Sequence, residues 1–446
     1  MPTPPRLRDA VPVRPSRGLC ERSARGQHAS RGGCGLSPIG GHGSLLAYRT
    51  DIAILVACGC QECVMQEDTL TSRGNMPYSL NVLIPLSCDL RPPVPQAIHA
   101  GRVDHRELGF VHPVSPGDVV AEVLVPAGEH FSPEVAQHLI GEGCALGDAS
   151  TEHTEGQGVP VVATRSGHLD WDERALAVRD TLVVDEDVTY HVGNIRYFGD
   201  LIVRGMVRVA FRVRARSLLV EGLIEGAFIE CERLEARGGV KAGGSGRLRV
   251  RETVAAPFME NAIVHAGSHV VVSGSSLHNE IKSNASVQVA ERLIGGMTAA
   301  RDSITVGERL GGGMSTLTRV QVGYDPFLNT AVHRLEVQAQ HVEEVMLSCA
   351  KLAGRGGRLG DKAKARGERY AAALKRLRRK LADLLARLDA TSTLETCTID
   401  VRGEVRPGVE ICIGPARLMN QDFLKNVRFS YCDGAVVATH PAGRTA

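Results

Sequence analysis

From residue 200 onward the sequence repeats one short apolar segment: Asp200-Leu-Ile-Val-Arg-Gly205, Ser217-Leu-Leu-Val-Glu-Gly222, Arg233-Leu-Glu-Ala-Arg-Gly238, Glu252-Thr-Val-Ala255, His269-Val-Val-Val-Ser-Gly274, Ser286-Val-Gln-Val-Ala290, Ser303-Ile-Thr-Val-Gly307 and Arg319-Val-Gln-Val-Gly323. Successive segments start 17, 16, 19, 17, 17, 17 and 16 residues apart. A second apolar stretch stands between them, as in Ala227-Phe-Ile-Glu-Cys231 and Ala262-Ile-Val-His-Ala266. Spacing this regular indicates an internal structural repeat.

Each repeat is too short to close a core by itself. Stacked coils bury their apolar residues against one another and pair each strand in parallel with its copy in the next coil. At ~4.8 Å per coil, eight coils make a rod of roughly 38 Å. The hexapeptide period of left-handed acyltransferase helices is missing from the sequence. The sequence therefore predicts a mainly β fold with a right-handed parallel β-helix (solenoid) over residues 193–324.

Glycines end most of the repeated segments. We interpret them as corner residues that adopt positive φ at tight bends. They are Gly205, Gly222, Gly238, Gly274, Gly307 and Gly323.

The apolar positions change spacing after Gly323. They step alternately by four and three residues from Leu328 to Ala353, and again from Ala363 to Leu388, across the segment Gly354–Gly360. Two heptad helices on either side of a Gly-rich loop predict an inserted antiparallel α-helical coiled-coil hairpin. We assign it to residues 325–393, with arms roughly 40 Å long at 1.5 Å per residue.

The solenoid pattern returns after the hairpin. Thr398-Ile-Asp-Val-Arg-Gly403 repeats the earlier segments, and Pro415 follows one repeat length later. Residues 394–446 are therefore predicted to add one or two coils and a last hairpin around Asp433-Gly434.

Two regions precede the repeats. Residues 76–192 alternate short apolar runs with turn signals such as Ser115-Pro-Gly-Asp118, which predicts a small, mostly β N-terminal domain. Residues 1–75 are rich in Arg, Gly, Ser and Pro and have no sustained period, so we interpret them as a disordered leader. The break in composition near residue 75 favours a translation start at Met76 or Met65.

Composition limits the partners and the compartment. The formal net charge is only +2, which argues against nucleic acid as a partner. The twelve cysteines have no regular spacing outside the leader, which is typical of reduced thiols in a cytoplasmic protein.

The search for catalytic, cofactor and metal sites assigns no residue to any of them. His265, His269 and His278 are close in sequence but have no carboxylate or thiolate at ligand spacing. Glu260-Asn261 and His278-Asn279 suggest an acid–base pair, yet the acidic and basic cluster of carbohydrate-acting β-helices is missing from the sequence around them.

The second arm of the predicted hairpin is basic. Its candidate partner-binding surface consists of Arg376, Arg379, Lys380 and Arg387, which fall outside the apolar seam. A basic helix face suits an acidic protein partner, and a membrane surface is the less favoured alternative. The opposite interpretation is a solvated face matched to Glu336, Glu343 and Glu344 of the first arm.

The order of solenoid, inserted hairpin and resumed solenoid resembles the flagellar assembly protein A family. The resemblance spans roughly residues 100–437 and depends on five segments: Gly193-Asn-Ile-Arg-Tyr-Phe-Gly-Asp200, Phe258-Met-Glu-Asn-Ala262, Leu277-His-Asn279, Leu293-Ile-Gly-Gly296 and Gly403-Glu-Val-Arg-Pro-Gly408. It implies a cytoplasmic bacterial protein, without assigned catalytic residues, that acts in flagellar assembly or at the cell pole. The leader has no counterpart in the family.

Three functional hypotheses follow. The favoured one is a non-enzymatic scaffold or regulator of flagellar assembly or cell-pole organisation that contacts other proteins. The second is a self-polymerising cytoskeletal solenoid similar to the bactofilins, which leaves a homo-oligomer open. The third is a carbohydrate-acting β-helix enzyme.

Overall fold

The computed structural model describes residues 78–84, 86, 96–98, 102–125, 130–147, 158–172, 175–312 and 316–440. The leader that was predicted to be disordered lies outside the described residues. So do the two start residues proposed for it, Met65 and Met76.

The described part of the N-terminal domain holds small antiparallel sheets, in the strand orders β1-β5-β7-β6, β4-β8-β9 and β2-β3, and one helical turn. The helical turn is α1 (Pro133–Ala136), continued by a 3-10 turn at Gln137–Leu139. The strands are β1 (Ser79–Val82), β2 (Gln96–Ile98), β3 (Arg102–Asp104), β4 (Pro113–Val114), β5 (Val119–Leu124), β6 (Cys144–Leu146), β7 (Val159–Ala163), β8 (Gly167–Asp172) and β9 (Ala175–Arg179). The small β domain that the sequence predicts is confirmed.

The next strands form a parallel solenoid of about eight turns with three faces. Face 1 contains the repeated segments, stacked in register with Leu201 opposite Leu218 and Leu218 opposite Leu234. Its strands are β10 (Thr181–Val184), β12 (Asp200–Val203), β14 (Ser217–Val220), β17 (Arg233–Ala236), β20 (Val254–Ala256), β23 (Val270–Val272), β25 (Ser286–Val289), β27 (Ser303–Val306) and the first half of β30 (Thr398–Val405).

Face 2 is the narrowest side of the solenoid, and its strands contribute about two residues per turn. Its strands are β15 (Ile224–Glu225), β18 (Val240–Lys241), β21 (Met259–Glu260), β28 (Arg309–Leu310), the first residues of β24 (Ser276–Ser283) and β26 (Arg292–Ala300), and the end of β30. The sequence analysis recognised two strands per repeat and missed this face, because a two-residue strand has no measurable apolar period.

Face 3 contains the second apolar stretch of each repeat. Its strands are β11 (Ile195–Arg196), β13 (Arg212–Arg214), β16 (Phe228–Cys231), β19 (Arg247–Val250), β22 (Ile263–Ala266), the last residues of β24 and β26, β29 (Thr318–Val322) and β31 (Val409–Ile413). Alternate side chains of all three faces point inward, so that Leu218, Val240 and Val264 belong to one continuous core. The parallel solenoid is confirmed, and its right-handed sense stays a prediction.

The assignment of the last repeated segment needs correction. Arg319-Val-Gln-Val-Gly323 was taken as the eighth copy of the face 1 segment, but β29 pairs with β26 and β31 on face 3. The next face 1 strand after β27 is β30, with Ser303 opposite Thr398. The interval of 16 residues is therefore a coincidence between two faces of similar sequence.

Glycine occupies the corners for a different reason from the one predicted. Among the six, only Gly323 has positive φ. The others lie against the backbone of the preceding coil: a Cβ on Gly307 would lie 1.8 Å from the Ala290 carbonyl oxygen, and one on Gly238 would lie 2.3 Å from that of Gly222. At the five corners other than Gly323, the close stacking of coils and not the backbone conformation therefore requires glycine.

The inserted hairpin consists of α2 (Pro326–Ala353) and α3 (Gly357–Ala390). The connection between them is shorter than the predicted loop over Gly354–Gly360, because α3 already begins at Gly357. Gly360 is buried in the seam and continues the spacing of three and four residues toward the N-terminus of α3. No helix in the described ranges is long and apolar enough to cross a membrane.

Antiparallel strands cover the C-terminal end of the solenoid. They are β32 (Ala416–Asn420), which pairs with β31, β33 (Leu424–Cys432), which pairs with β30, and β34 (Ala435–Thr439), which pairs with β33. The predicted hairpin is confirmed, since Asp433 and Gly434 both have positive φ, as a two-residue β-turn between twisted strands requires. Pro415 begins no new coil, because the strand that follows it runs back along β31.

The N-terminal domain contacts the first turn of the solenoid. The Asn194 backbone N–H donates to the Arg106 carbonyl oxygen at 2.6 Å, and the Asn194 side chain donates to Glu107 at 2.7 Å. The Tyr197 hydroxyl donates to the Arg179 carbonyl oxygen at 3.0 Å and lies 3.1 Å from His168 Nδ1. The first face 1 strand, β10, starts at Thr181, whereas the predicted solenoid boundary was residue 193.

Candidate partner-binding surface

The hairpin is held to the solenoid at its base. The Asp325 side chain caps α2 by accepting hydrogen bonds from the backbone N–H groups of Phe327, at 2.8 Å, and Leu328, at 3.0 Å. On the other side, Thr393 donates through its hydroxyl to the Arg301 carbonyl oxygen at 2.7 Å. These contacts fix both ends of the insertion at one corner of the solenoid.

The root of α2 also packs on face 3. The Phe327 ring meets the His265 ring edge to face, with centroids 5.6 Å apart. Burial, followed by the nearby charge of Lys282, lowers the pKa of His265 below its ordinary value. Burial therefore favours the neutral form of this histidine beneath the helix.

Beyond its root the hairpin packs mainly against itself. Buried residues occur along a single seam, among them Val332, Ala339, Cys349, Leu374 and Leu388. The residues outside the seam are largely exposed along both helices. The predicted seam is therefore confirmed, and the remaining surface of the arms faces solvent.

The predicted surface of Arg376, Arg379, Lys380 and Arg387 lies on α3, and all four side chains are exposed. Within the described chain, none of the four has a carboxylate within ion-pair distance. The neighbouring Arg378 does, with its Nη2 at 2.7 Å from Glu343 Oε1 on α2. The first arm therefore neutralises one cation of this stretch and leaves these four unpaired.

The three histidines considered for a metal site are separated by the fold. His265 lies on face 3, and the His269 Nδ1 is 2.8 Å from the Ser286 hydroxyl at the edge of face 1. His278 is an exposed corner residue with a φ of 54°. Each has a local contact or position of its own, and the fold does not bring the three rings together.

Asn279 has a structural role in place of the proposed acid–base role. Its side chain donates to the Met259 carbonyl oxygen at 2.9 Å and to the Ser276 hydroxyl at 2.8 Å. Its oxygen accepts from the Ala262 N–H at 2.7 Å. Because all of these bonds are made inside the solenoid, the amide closes the corner between faces 2 and 3.

The buried thiols are poor nucleophiles. Burial raises the pKa of Cys231 to about 12 and that of Cys397 to about 11. A thiol with such a pKa stays protonated at neutral pH, and the thiolate is the reactive form. Cys231 and Cys397 are both free and buried, whereas Cys432 is exposed.

One group of exposed residues was missed by the sequence analysis. Arg212, Arg214, Arg247 and Arg249 occupy the outward positions of β13 and β19 on face 3. Their signal in the sequence is the alternation Arg-Val-Arg and Arg-Leu-Arg. The arginines of the separate strands form one surface only when the strands are stacked.

These features define a class of protein: a three-sided parallel β-solenoid with a helical hairpin inserted in one turn and antiparallel strands at its C-terminal end. A model of the Flagellar Assembly Protein A beta solenoid domain matches residues 180–436, which is more than half of the chain. The protein therefore belongs to the flagellar assembly protein A family, as the sequence segments implied. A search of the curated proteins found no match, and neither did a search of the solved structures.

Proposed function

We propose that this protein is a non-enzymatic cytoplasmic scaffold or regulator of flagellar assembly and cell-pole organisation, which acts through contacts with other proteins. Membership in the flagellar assembly protein A family supports a role in flagellar assembly. The observation that carries the scaffold role is the hairpin, which presents unpaired cations on a helix whose outer surface faces solvent.

The hairpin suits this role mechanically. Its insertion leaves the solenoid register intact, since Ile304 on β27 pairs directly with Ile399 on β30 across the inserted residues. A rigid rod with a charged arm holds a partner at a fixed place without any change in its own core. Binding along a charged helix face is set by complementary potential, which determines partner choice and association rate.

The covered C-terminal end favours this proposal over a filament-forming solenoid. End-to-end growth of a β-solenoid needs free strand edges on its last coil. Here β33 occupies the outer edge of β30, and β32 occupies that of β31. A filament built through this end would first have to displace both strands.

The test is genetic, with a matched pair of surface variants. Deletion of the gene is expected to reduce the number of flagella or their polar placement in the host bacterium. The triple variant Arg376→Glu, Arg379→Glu and Lys380→Glu is expected to have the same effect more weakly, because like charges at an interface repel the acidic partner. Electron microscopy of flagella and swimming assays measure both.

The control is Lys362→Glu, Lys364→Glu and Arg369→Glu. These exposed residues lie on the same helix nearer its N-terminus, and their reversal changes the net charge by the same amount. Normal flagella in the control and fewer in the test variant support the proposal. Normal flagella and swimming in the clean deletion would refute it, and concentration-dependent filaments in light scattering would favour the cytoskeletal alternative.

A further inference from the structure

Face 3 of the solenoid carries a group of arginines on its outer surface, in the turns nearest the N-terminal domain. We call this group the arginine face, and all of its side chains are exposed. Its members are Arg196 on β11, Arg212 and Arg214 on β13, and Arg247 and Arg249 on β19. The register places Arg196 beside Arg214, and places Phe228 and Glu230 of β16 between the two arginine pairs.

These five arginines differ from most other arginines of the solenoid. In most of the others the guanidinium group is paired with a carboxylate of the same or a neighbouring coil, as in Arg204–Asp185, Arg208–Glu225, Arg216–Asp200, Arg233–Glu252, Arg251–Glu232, Arg309–Glu404 and Arg319–Glu410. In the described structure, no member of the arginine face has such an ion pair.

The arginine face lines a groove of about 380 Å³, whose lining also includes Glu107 of the N-terminal domain. The carboxylates of the lining are Glu107 and Glu230, against five guanidinium groups. Glu107 already accepts a hydrogen bond from Asn194. The lining of the groove therefore keeps an excess of positive charge, since five guanidinium groups face two carboxylates.

The spacing of the cations follows from the strand geometry. Arg212 and Arg214, like Arg247 and Arg249, are two residues apart on one strand, about 6.6 Å at 3.3 Å per residue. The two pairs lie two coils apart, or roughly 10 Å. Alternate side chains of an extended peptide have the same separation of about 6.6 Å, so acidic residues at every second position of such a peptide match one arginine pair.

We propose that the arginine face binds an extended acidic segment of a protein partner, with alternate carboxylates paired to the guanidinium forks. This inference deepens the scaffold function proposed above and rests on it for the partner being a protein. Guanidinium groups form two parallel hydrogen bonds to a carboxylate, which suits recognition of such a segment.

Three observations favour a protein over a nucleic acid strand. The cations of the groove are all arginine, and an aromatic side chain, Phe198, stands 68 % exposed two residues after Arg196. Exposed aromatics together with arginine are enriched at protein interfaces. The Phe228 ring, which could stack on a base, is instead covered by the Arg212 guanidinium at 5.7 Å.

The experiment measures binding of a labelled peptide of alternating glutamate and serine to the full-length protein by fluorescence anisotropy. The wild type is compared with Arg247→Glu/Arg249→Glu, and a peptide of alternating glutamine and serine tests the need for charge. The matched control is Lys362→Glu/Lys364→Glu on α3, which makes the same change in net charge away from the groove. Circular dichroism checks that each variant is folded, and Arg247→Gln/Arg249→Gln replaces the reversal if that variant does not fold.

The proposal expects the face variant to weaken binding by about tenfold or more, while the control changes it by less than about twofold. Equal weakening in both variants would overturn it, because the peptide would then be sensing net charge alone. Binding of an oligothymidylate as tight as that of the peptide, lost in the same face variant, would overturn it in favour of nucleic acid. Undetectable binding of the glutamate peptide to the wild type would also overturn it.

The experiments can refute the proposed flagellar function and the arginine face separately. Normal motility in the gene deletion together with face-dependent peptide binding would refute the flagellar role and leave the arginine face as a protein-binding site. Impaired motility in the deletion with undetectable peptide binding would refute the arginine face and leave the scaffold role to the hairpin.

Discussion

The solenoid and the hairpin both bury apolar residues in a regular pattern, but they close their cores differently. In the solenoid, three faces surround the inward side chains, and Val264, Ile281 and Ile304 are 0 % exposed. In the hairpin, two helices share one seam, and even its best-covered apolar residues keep some exposure, with Val332 4 % and Leu388 5 % exposed. The solenoid therefore depends on every coil, whereas the hairpin depends only on its own seam.

The surfaces of the two regions differ in the same way. Solenoid charges mostly pair between successive coils, so that they are part of the stacking. Hairpin charges such as Arg376 and Arg379 lie outside the seam and are unpaired among the described residues. A surface whose side chains do not stabilise the fold is available for binding a partner.

Removal of the hairpin is the largest change that separates the two regions. Deleting residues 326–390 and joining Asp325 to Thr391 through a short Gly-Ser linker keeps the hydrogen bond from Thr393 to Arg301 at the base. We expect the helical circular dichroism signal to disappear and the β signal to persist, because Ser303 and Thr398 already stack in register. Loss of both signals together would show that the hairpin is part of the solenoid core.

Ile304→Ala tests the continuity of the solenoid core. The side chain is fully buried and stacks on Ile399 across the point of insertion. We expect the free energy of unfolding of the solenoid to fall by about 2–5 kcal/mol, measured by chemical denaturation followed through the β signal. Thr305→Ala, whose side chain points outward on the same strand, should cost well under ~1 kcal/mol. Equal costs for the two variants would contradict a closed core.

Leu374→Ala makes the corresponding change in the hairpin. Because the seam is open on its sides, we expect a smaller cost of about 2 kcal/mol, at the low end for such a truncation. The loss should also be local. Hydrogen exchange should speed up in α2 and α3 and stay unchanged in the strands of face 1. Faster exchange throughout the solenoid would contradict independent stability of the two regions.

The smallest expected effect is that of acidification on the contact between His265 of the solenoid and the root of α2. The pKa of His265 in the folded protein is lowered, first by burial and then by Lys282, below the ordinary value of 6.5. Folding therefore favours the neutral ring, and its contribution is fully present above pH 6.5 and is lost as the pH falls through the lowered pKa.

The measurement is thermal unfolding at pH 7 and pH 5. We expect the decrease in Tm on acidification to be smaller in His265→Gln than in the wild type. His341→Gln, an exposed histidine of α2, is the control and should behave as the wild type does. An identical decrease in all three proteins would show that other groups cause the acid sensitivity.

Much of this architecture can be predicted from local patterns. Face 1 is visible because its copies recur at 16 to 19 residues, and the hairpin is visible because Leu374, Leu377 and Leu381 keep heptad spacing. Face 2 is invisible because its strands are two residues long. The copy at Arg319 was misassigned because faces 1 and 3 use the same alternation of apolar and polar residues, and sequence alone does not say which face a strand joins.

The two candidate binding surfaces also differ in whether the sequence alone predicts them. Arg376, Arg379, Lys380 and Arg387 are adjacent on one helix, so their surface could be predicted from helical spacing alone. The arginine face could not, because Arg196 and Arg214 belong to different repeats and become neighbours only through stacked strands.

By itself the sequence determined the kind of structure that each segment forms, because apolar spacing fixes whether a segment buries one side of a strand or one stripe of a helix. It also determined the solenoid and the inserted hairpin, since both repeat over many residues. Only the tertiary structure decided why Gly307 must be glycine, which arginines are paired, and how the last coil is covered. Those features depend on contacts between successive coils, and no single repeat contains both sides of such a contact.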